Sequence, residues 1–311
     1  MVWTGSRRTV LMTAGLSLLA GCGGEGEGER SLFTGEQGVG EKVLAVKIDN
    51  VPAARPQTGL DKADIVYVEQ VEAGLTRLLA VFASRFPATV GPVRSVRESD
   101  LELLRQFDHP ALAYSGVQSR LLPKVESAPL TALTPGRLSD GYVREPDRSA
   151  PHNLYLRAAR AERAASDVSA PRDIGFRFGS APSGGRQAEE RTVRYPAARV
   201  SFSWSEGKRR WLVSMDGKPA RTSGGGRLAA ATVVVQYVKI RSSRYGDRSG
   251  GVSPYTETVG AGRALVLRDG KEYDARWRRG KPSDGTSFTD DDGRRLPFAR
   301  GPVWVALAPA D

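Results

Sequence analysis

The sequence predicts an α+β protein, in which an N-terminal α/β domain precedes an all-β domain built as a small barrel or sandwich. Three observations predict it. In the first half, apolar runs of strand length alternate with helix-like stretches. In the second half, apolar residues recur with a period of two. Between the halves, residues 171–195 are rich in Gly, Ser, Pro and Arg and are expected to form a linker.

In the first half, Val43 to Ile48, Ile65 to Val68 and Leu78 to Phe82 are near-continuous apolar runs, as strands covered on both faces require. Ser99-Asp100-Leu101-Glu102 has the spacing of a capping box and predicts a helix running through Phe107. Ala111 to Tyr114 reads as a further strand, followed by a short helical stretch around Leu121 to Val125. Asn153 is placed to cap a helix from Leu154 to about Ala165. In the second half Val200, Phe202 and Trp204 alternate, as do Trp211, Val213 and Met215. Asp216-Gly217, Asp269-Gly270 and Asp292-Gly293 each stand between strand-like runs, where Asp-Gly favours a hairpin turn. Thr232 to Ile240 and Val303 to Leu307 supply further strands.

The N-terminus reads as processing information. Arg7 and Arg8 precede an apolar stretch from Val10 to Ala20, closed by Leu19-Ala20-Gly21-Cys22, the pattern of a lipidation site. The stretch is too short to span a bilayer, which takes roughly 20 apolar residues. Ser6-Arg7-Arg8-Thr9-Val10-Leu11-Met12 is similar to a twin-arginine export motif, with general secretion as the alternative. The expected organisation is a signal peptide over 1–21, a flexible Gly/Glu-rich tether over 22–40, an α/β domain over 41–170, the linker over 171–195 and a β domain over 196–311. The location expected is extracytoplasmic, lipid-anchored to the bacterial cell membrane.

Composition narrows the function. Of 311 residues, 40% are hydrophobic and 26% charged, as in soluble globular proteins. Cys22 is the one cysteine, so no internal disulfide forms, and a sulfur committed to lipid excludes Cys-based peptidase or transpeptidase chemistry. The net charge is +11, and removing residues 1–21 takes away Arg7 and Arg8 and leaves +9. Outside the membrane, the available anions are phospholipid headgroups and phosphate- or carboxylate-bearing wall polymers, not nucleic acid. A generally basic, Arg-rich composition without a specific partner is the alternative.

Polar residues gather at strand ends of the first half, where open α/β sheets bind ligands. Asp49 follows the first strand, with Arg55 shortly after. Glu72 follows the second, Arg77 precedes the third, Arg94 and Arg97 lead into the capped helix, and His152 and Asn153 lead into the later one. Arginines before a helix start add guanidinium forks to free backbone N–H groups, which suits phosphate or carboxylate. The same arginines could instead pair with Asp49, Glu69 or Glu72 in a structural ion network. No metal-ligand spacing is present: Asp290-Asp291-Asp292-Gly293 lacks an acid at 288 and reads as a turn. No Walker loop, G-x-S-x-G elbow or G-x-G-x-x-G after a strand occurs, and no cofactor is expected.

These segments carry a resemblance. Val46-Lys47-Ile48-Asp49-Asn50, Ala53-Ala54-Arg55-Pro56-Gln57, Ala63-Asp64-Ile65-Val66-Tyr67, Val71 to Arg77, Gly91-Pro92-Val93-Arg94-Ser95 and Ala150 to Tyr155 resemble the YerB-like lipoproteins, whose two halves carry the label "domain of unknown function 3048". The similarity extends through Asp269-Gly270 and Trp277 to about Pro309. One departure is Val68, where the family pattern places an acid directly after Tyr; Glu69 comes one place later, on the opposite strand face. The resemblance implies a bacterial envelope location and a two-part architecture, and brings no established reaction.

Two functions fit. The first is a binding lipoprotein that recognises an anionic envelope polymer or a partner protein, held at the membrane by its lipid. The second is an envelope hydrolase or transferase acting on a phosphate- or carboxylate-bearing wall substrate. There Asp49, Glu72 and His152 would be the catalytic acid, base and proton carrier, with Arg55, Arg77, Arg94, Arg97 and Asn153 binding the ligand. Convergence of Asp49, Glu72, Arg94, Arg97 and His152 on one pocket favours the enzyme; their dispersal into separate ion pairs favours binding.

Overall fold

The computed structural model describes residues 1–3, 29–246 and 251–310. Arg7, Arg8 and Cys22 lie outside the described residues. The first half contains β1 (Leu44–Asp49), β2 (Ile65–Gln70), β3 (Thr76–Phe82), β4 (Thr89–Val90), α1 (Glu98–Leu104), β5 (Ala111–Ala113), α2 (Leu122–Glu126), β6 (Thr131–Leu133), β7 (Tyr142–Arg144), β8 (Leu154–Arg157) and α3 (Ala158–Ala164). In the second half come β9 (Arg186–Gln187), β10 (Glu190–Tyr195), β11 (Ala198–Ser205), β12 (Arg210–Met215), β13 (Lys218–Pro219), β14 (Ala229–Ala230) and β15 (Thr232–Val238). They are followed by β16 (Ile240–Gly246), β17 (Val252–Thr256), β18 (Gly260–Arg268), β19 (Lys271–Arg279), β20 (Ser287–Thr289) and β21 (Val303–Pro309). The fold is α+β, with few helices.

Both halves build one mixed sheet, in the order β20-β19-β18-β15-β21-β2-β3-β1-β5-β6, with β9 added on β19. The joint is β21, the last strand of the chain. It runs parallel to β15 on one side and to β2 on the other, so that Val303 stands opposite both Thr232 and Ile65. Its Val-Trp-Val-Ala-Leu run is buried on both faces, as a central parallel position demands.

Side-chain alternation assigns each face its cover. Val46, Ile48, Val66, Val68, Leu78 and Ala80 face the sheet β10-β11-β12-β13, which carries β14 on β12. That second sheet turns Val200 and Phe202, with Trp211, Val213 and Met215, inward, and Phe202 meets Trp304 edge-on at 6.0 Å. On the opposite face lie Ala45, Ile65, Tyr67, Leu79 and Val81, covered by Leu101, Leu104 and Phe107 of the α1 region. The Asp-Gly turns form as their chemistry dictates: Asp216 and Gly217, then Asp269 and Gly270, take consecutive positive φ between β12 and β13 and between β18 and β19.

Four local expectations change. α1 begins at Glu98, two residues earlier than Ser99 capping implies: its N-cap is Arg97, whose backbone N–H donates to Asp100 Oδ2 at 2.6 Å. Ser99 Oγ instead accepts from Thr256 N at 2.8 Å. Asn153 caps no helix, because Leu154–Arg157 pairs with β4 and β7 as a strand and α3 starts only at Ala158. Residues 171–195 are not bare of structure, since β9 and β10 fall within them. Nor is the 22–40 stretch free of core residues: Phe33 is fully buried with its ring 5.4 Å from Phe107, a single aromatic anchor in an otherwise polar segment.

Candidate functional site

A cavity of about 940 Å³ opens at the carboxyl ends of the parallel strands β1, β5 and β6, on the α1 side of the sheet. Asp49 ends β1, and Arg77 stands directly opposite it near the start of antiparallel β3. Alternation from Leu79 and Lys47 fixes both on this face. The segment after β4 then crosses the strand ends. Arg94 N donates to Lys47 O at 2.8 Å, and Val96 N donates to Gly116 O at 3.0 Å, so Arg94 and Arg97 arrive at the cavity rim just ahead of α1. Glu72 sits in the β2–β3 turn. Gly74 there has φ +69, and a Cβ on it would lie 2.5 Å from Pro196, so only glycine lets the second half close against this turn.

Asp49, Glu72, Arg77, Arg94, Arg97 and His152 all line this cavity. Asp49 is the hub. Its Oδ2 accepts from His152 Nδ1 at 2.8 Å and lies 3.1 Å from Arg94 Nε, while its Oδ1 accepts from Asn50 N at 3.0 Å. The Arg94 contact is an ion pair whose N–H is not aligned as a hydrogen bond, because Nε has no hydrogen-bond partner of adequate geometry. Arg97 grips Glu72 with both ends of its fork, Nε at 2.6 Å and Nη2 at 2.8 Å, and Ser253 Oγ donates to the same carboxylate. Burial pushes the Glu72 carboxyl up, yet the Arg97 fork and Ser253 more than offset it and hold it down at about 2.

Arg77 differs. It is 8% exposed, Nη1 donates to Ser95 O at 3.1 Å, and among the described residues it makes no ion pair. Burial first, and then the neighbouring Arg97 charge, pull it down to about 10. It still carries its proton at neutral pH, as a desolvated cation repelled by Arg97 and Arg94 and attracted by Glu72 and Asp49. The cavity's other walls are rich in hydroxyls and amides from Ser95, Ser115, Gln118 and Ser119.

Beneath the floor lies a second charged group. Lys47 Nζ, fully buried, donates to Glu69 Oε2 at 3.0 Å and to Asp100 Oδ1 at 2.6 Å. Burial, and then the Asp100 charge, push Glu69 up to about 8. One ammonium and one retained proton thus serve two carboxylates, and the cluster closes near neutrality. Glu69 lies opposite Arg77 on the face that carries the cavity, while Val68 packs into the other core. An acid at 68 would therefore point away from the cavity.

Two expected ligand-binding residues lie elsewhere. Arg55 is on the opposite face of the strand end, where its Nη1 pairs with Asp216 Oδ2 at 2.8 Å and its Nε donates to Asn50 Oδ1. Asn153 is buried behind the rim and accepts from Arg144 Nη1 at 2.7 Å, so it positions an arginine that does line the cavity. Ser95 lines it too, but among the described residues no hydrogen bond joins Ser95 to His152. Arg144, Tyr245 and Ser253 were not foreseen. Tyr245 and Ser253 come from the β16–β17 hairpin of the second half, anchored on α1 by Ser243 to Glu98 and by Tyr255 to Glu102, each at 2.6 Å. Among the described residues, no group of three or more His, Cys, Asp or Glu side chains has metal-binding geometry.

Comparisons with known proteins agree with this architecture. The family described as "Protein of unknown function (DUF3048) N-terminal domain" matches residues 33–170, and its C-terminal counterpart matches 191–305. A protein of Bacillus subtilis (strain 168) named "Putative lipoprotein YerB" is 28% identical over 286 residues, covering 88% of this chain and 83% of its own. The crystal structure of the YerB protein from Bacillus subtilis superposes with a TM-score of 0.78 at 23% identity, covering 91% of this chain and 97% of that one. This structural likeness is one of fold. By its match over both halves, the chain belongs to the DUF3048 family of proteins of unknown function.

Proposed function

We propose that this protein is a lipid-anchored component of the bacterial envelope whose cavity binds a phosphate- or carboxylate-bearing group of an envelope polymer. The location rests on the lipidation pattern ending at Cys22 and on the relative named a lipoprotein. Among the described residues, no helix is long and apolar enough to cross a membrane. Export through the twin-arginine route, suggested by Arg7 and Arg8, belongs to the same reading.

The observation that carries the binding reading is Arg77. A buried guanidinium with no direct ion pair among the described residues, whose neighbouring carboxylates Glu72 and Asp49 are already held by Arg97, Arg94 and His152, is electrostatically costly unless a ligand completes it. Four lining arginines, Arg77, Arg94, Arg97 and Arg144, against Asp49, Glu72 and Glu98 leave one positive charge uncompensated, which suits a monoanionic group. A volume of about 940 Å³ holds far more than a bare anion, and the hydroxyl-rich walls suit a polyol or sugar chain. A protein partner fits less well, because among the described residues from 29 onward the exposed large apolar side chains Leu32, Val39, Leu122 and Val252 are few and small in area.

The test is calorimetric titration of the mature chain with polyol-phosphate oligomers, with inorganic phosphate as competitor. Saturable, phosphate-competed binding is expected. Absence of binding to the oligomers and to acidic glycan fragments alike contradicts the reading.

A further inference from the structure

We infer that the cavity also carries out phosphoryl transfer on a phosphodiester, with His152 Nε2 as the attacking atom. This rests on the reading of the cavity as an anion site.

The argument is one of elimination among atoms able to attack. Asp49 is committed to His152, Arg94 and Asn50 N, Glu72 to Arg97 and Ser253, and Glu98 to Lys124 and Ser243. None of these carboxylates is free to act as nucleophile or base. The hydroxyls of Ser95, Ser115, Ser119, Tyr245 and Ser253 have, among the described residues, no hydrogen bond to the histidine that would activate them, and the carboxylate that Ser253 donates to, Glu72, is held too far down by Arg97 to serve as its base. The imidazole of His152 is different. Its Nδ1 faces a carboxylate oxygen at 2.8 Å and so carries the ring proton, which leaves the Nε2 lone pair available. The ring is about one-fifth exposed and lines the cavity, and among the described residues Nε2 has no protein partner. The backbone is held as well, His152 N donating to Ser149 O at 3.0 Å. An oriented imidazole thus sits beside Arg94 on one carboxylate oxygen, across which stands Arg77.

The charge selects the ester class. One uncompensated positive charge matches the single negative charge of a phosphodiester, the linkage of a polyol-phosphate chain, rather than the dianion of a monoester. In the first step the Nε2 lone pair forms a bond to phosphorus while the bond from phosphorus to one ester oxygen breaks. The electron pair leaves with that oxygen, which takes a proton from water. Asp49 holds the Nδ1 proton and stabilises the positive charge on the ring. In the second step water attacks phosphorus, the N–P bond breaks, and its electrons return to Nε2. The proton lost by this water balances the one the alcohol took. The sum is diester plus water giving alcohol plus phosphomonoester, with no redox change.

The experiment incubates the mature chain with bis(4-nitrophenyl) phosphate, follows 4-nitrophenol release, and quenches in alkali, where phosphohistidine survives. Peptide mass spectrometry then locates the adduct. The expected result is turnover with the nitrophenyl-phosphoryl group on His152 alone. Loss of adduct is expected in His152→Asn at an unchanged melting temperature, and adduct formation slowed at least about tenfold in Asp49→Asn. Phosphate binding without turnover or adduct overturns the transfer and leaves the binding reading intact. Turnover with no adduct on His152 also overturns it, in favour of attack by water. Failure to bind phosphate or the diester at all removes both readings.

Discussion

Two ionic clusters share one face of the central sheet, a strand step apart. The inner one, Lys47 with Glu69 and Asp100, is shut off from solvent and has its charges balanced. The outer one, built on Asp49, Glu72, Arg77, Arg94, Arg97 and His152, borders the cavity and retains an excess of cations. The contrast separates two uses of buried charge. The closed cluster fixes Asp100, which receives the Arg97 backbone N–H and so sets where α1 and its arginine begin. The open cluster keeps an electrostatic need that only something from outside the fold meets.

The largest effect belongs to the closed cluster. Lys47→Met strands two carboxylates in the interior and should destabilise the fold by about 3–5 kcal/mol. Thermal denaturation should show a melting temperature lower by roughly 10 °C. A variant as stable as the parent would mean that Glu69 and Asp100 do not depend on Lys47.

Titration should split the clusters by sign. Glu69 is raised in the folded state, chiefly by burial and then by Asp100, so its contribution is present below about 4.5 and is lost as pH rises through about 8. Glu72 is lowered by Arg97 against the opposing effect of burial, so its contribution is present above about 4.5 and is lost as pH falls through about 2. Denaturant unfolding across pH should therefore show Glu69→Gln flattening the alkaline limb and Glu72→Gln the acid limb. Each substitution acting on the other limb would break the assignment.

The sequence made much of the open cluster legible and little of the closed one. Asp49, Arg77, Arg94, Arg97 and His152 were readable because strand ends and helix starts collect ligand-binding groups, and these positions follow directly from local pattern. Lys47 was visible as a charge inside the apolar run Val46-Lys47-Ile48, a position that requires a buried partner, but the partner on α1 is distant in sequence. The insertion of β21 between β15 and β2 had no local signal: a fully apolar strand fits any central position equally well. The same holds for Ser253, which reaches Glu72 only because the β16–β17 hairpin folds back over α1. Arg55 was misplaced because a one-residue step at a strand end exchanges faces.

A smaller effect is expected at Arg94. It is 26% exposed on its side chain, and its loss leaves Asp49 with His152 and Asn50 N, so Arg94→Gln should change stability by no more than about 1 kcal/mol. Binding of polyol phosphate should weaken about tenfold, the worth of one charge-assisted contact. A marked fall in melting temperature with binding intact would place Arg94 in a structural network like that of Lys47.

The most direct test of the distinction is Arg77→Gln, measured for both melting temperature and phosphate binding. If Arg77 is a cation held for a ligand, removing it relieves the cost of its burial and the repulsion from Arg97 and Arg94, which offset the lost attraction to Glu72 and Asp49. The melting temperature should then hold or rise, while calorimetry shows binding weakened at least about tenfold. A large loss of stability with binding intact per folded molecule would contradict the account and make the outer cluster, like the inner one, part of the scaffold.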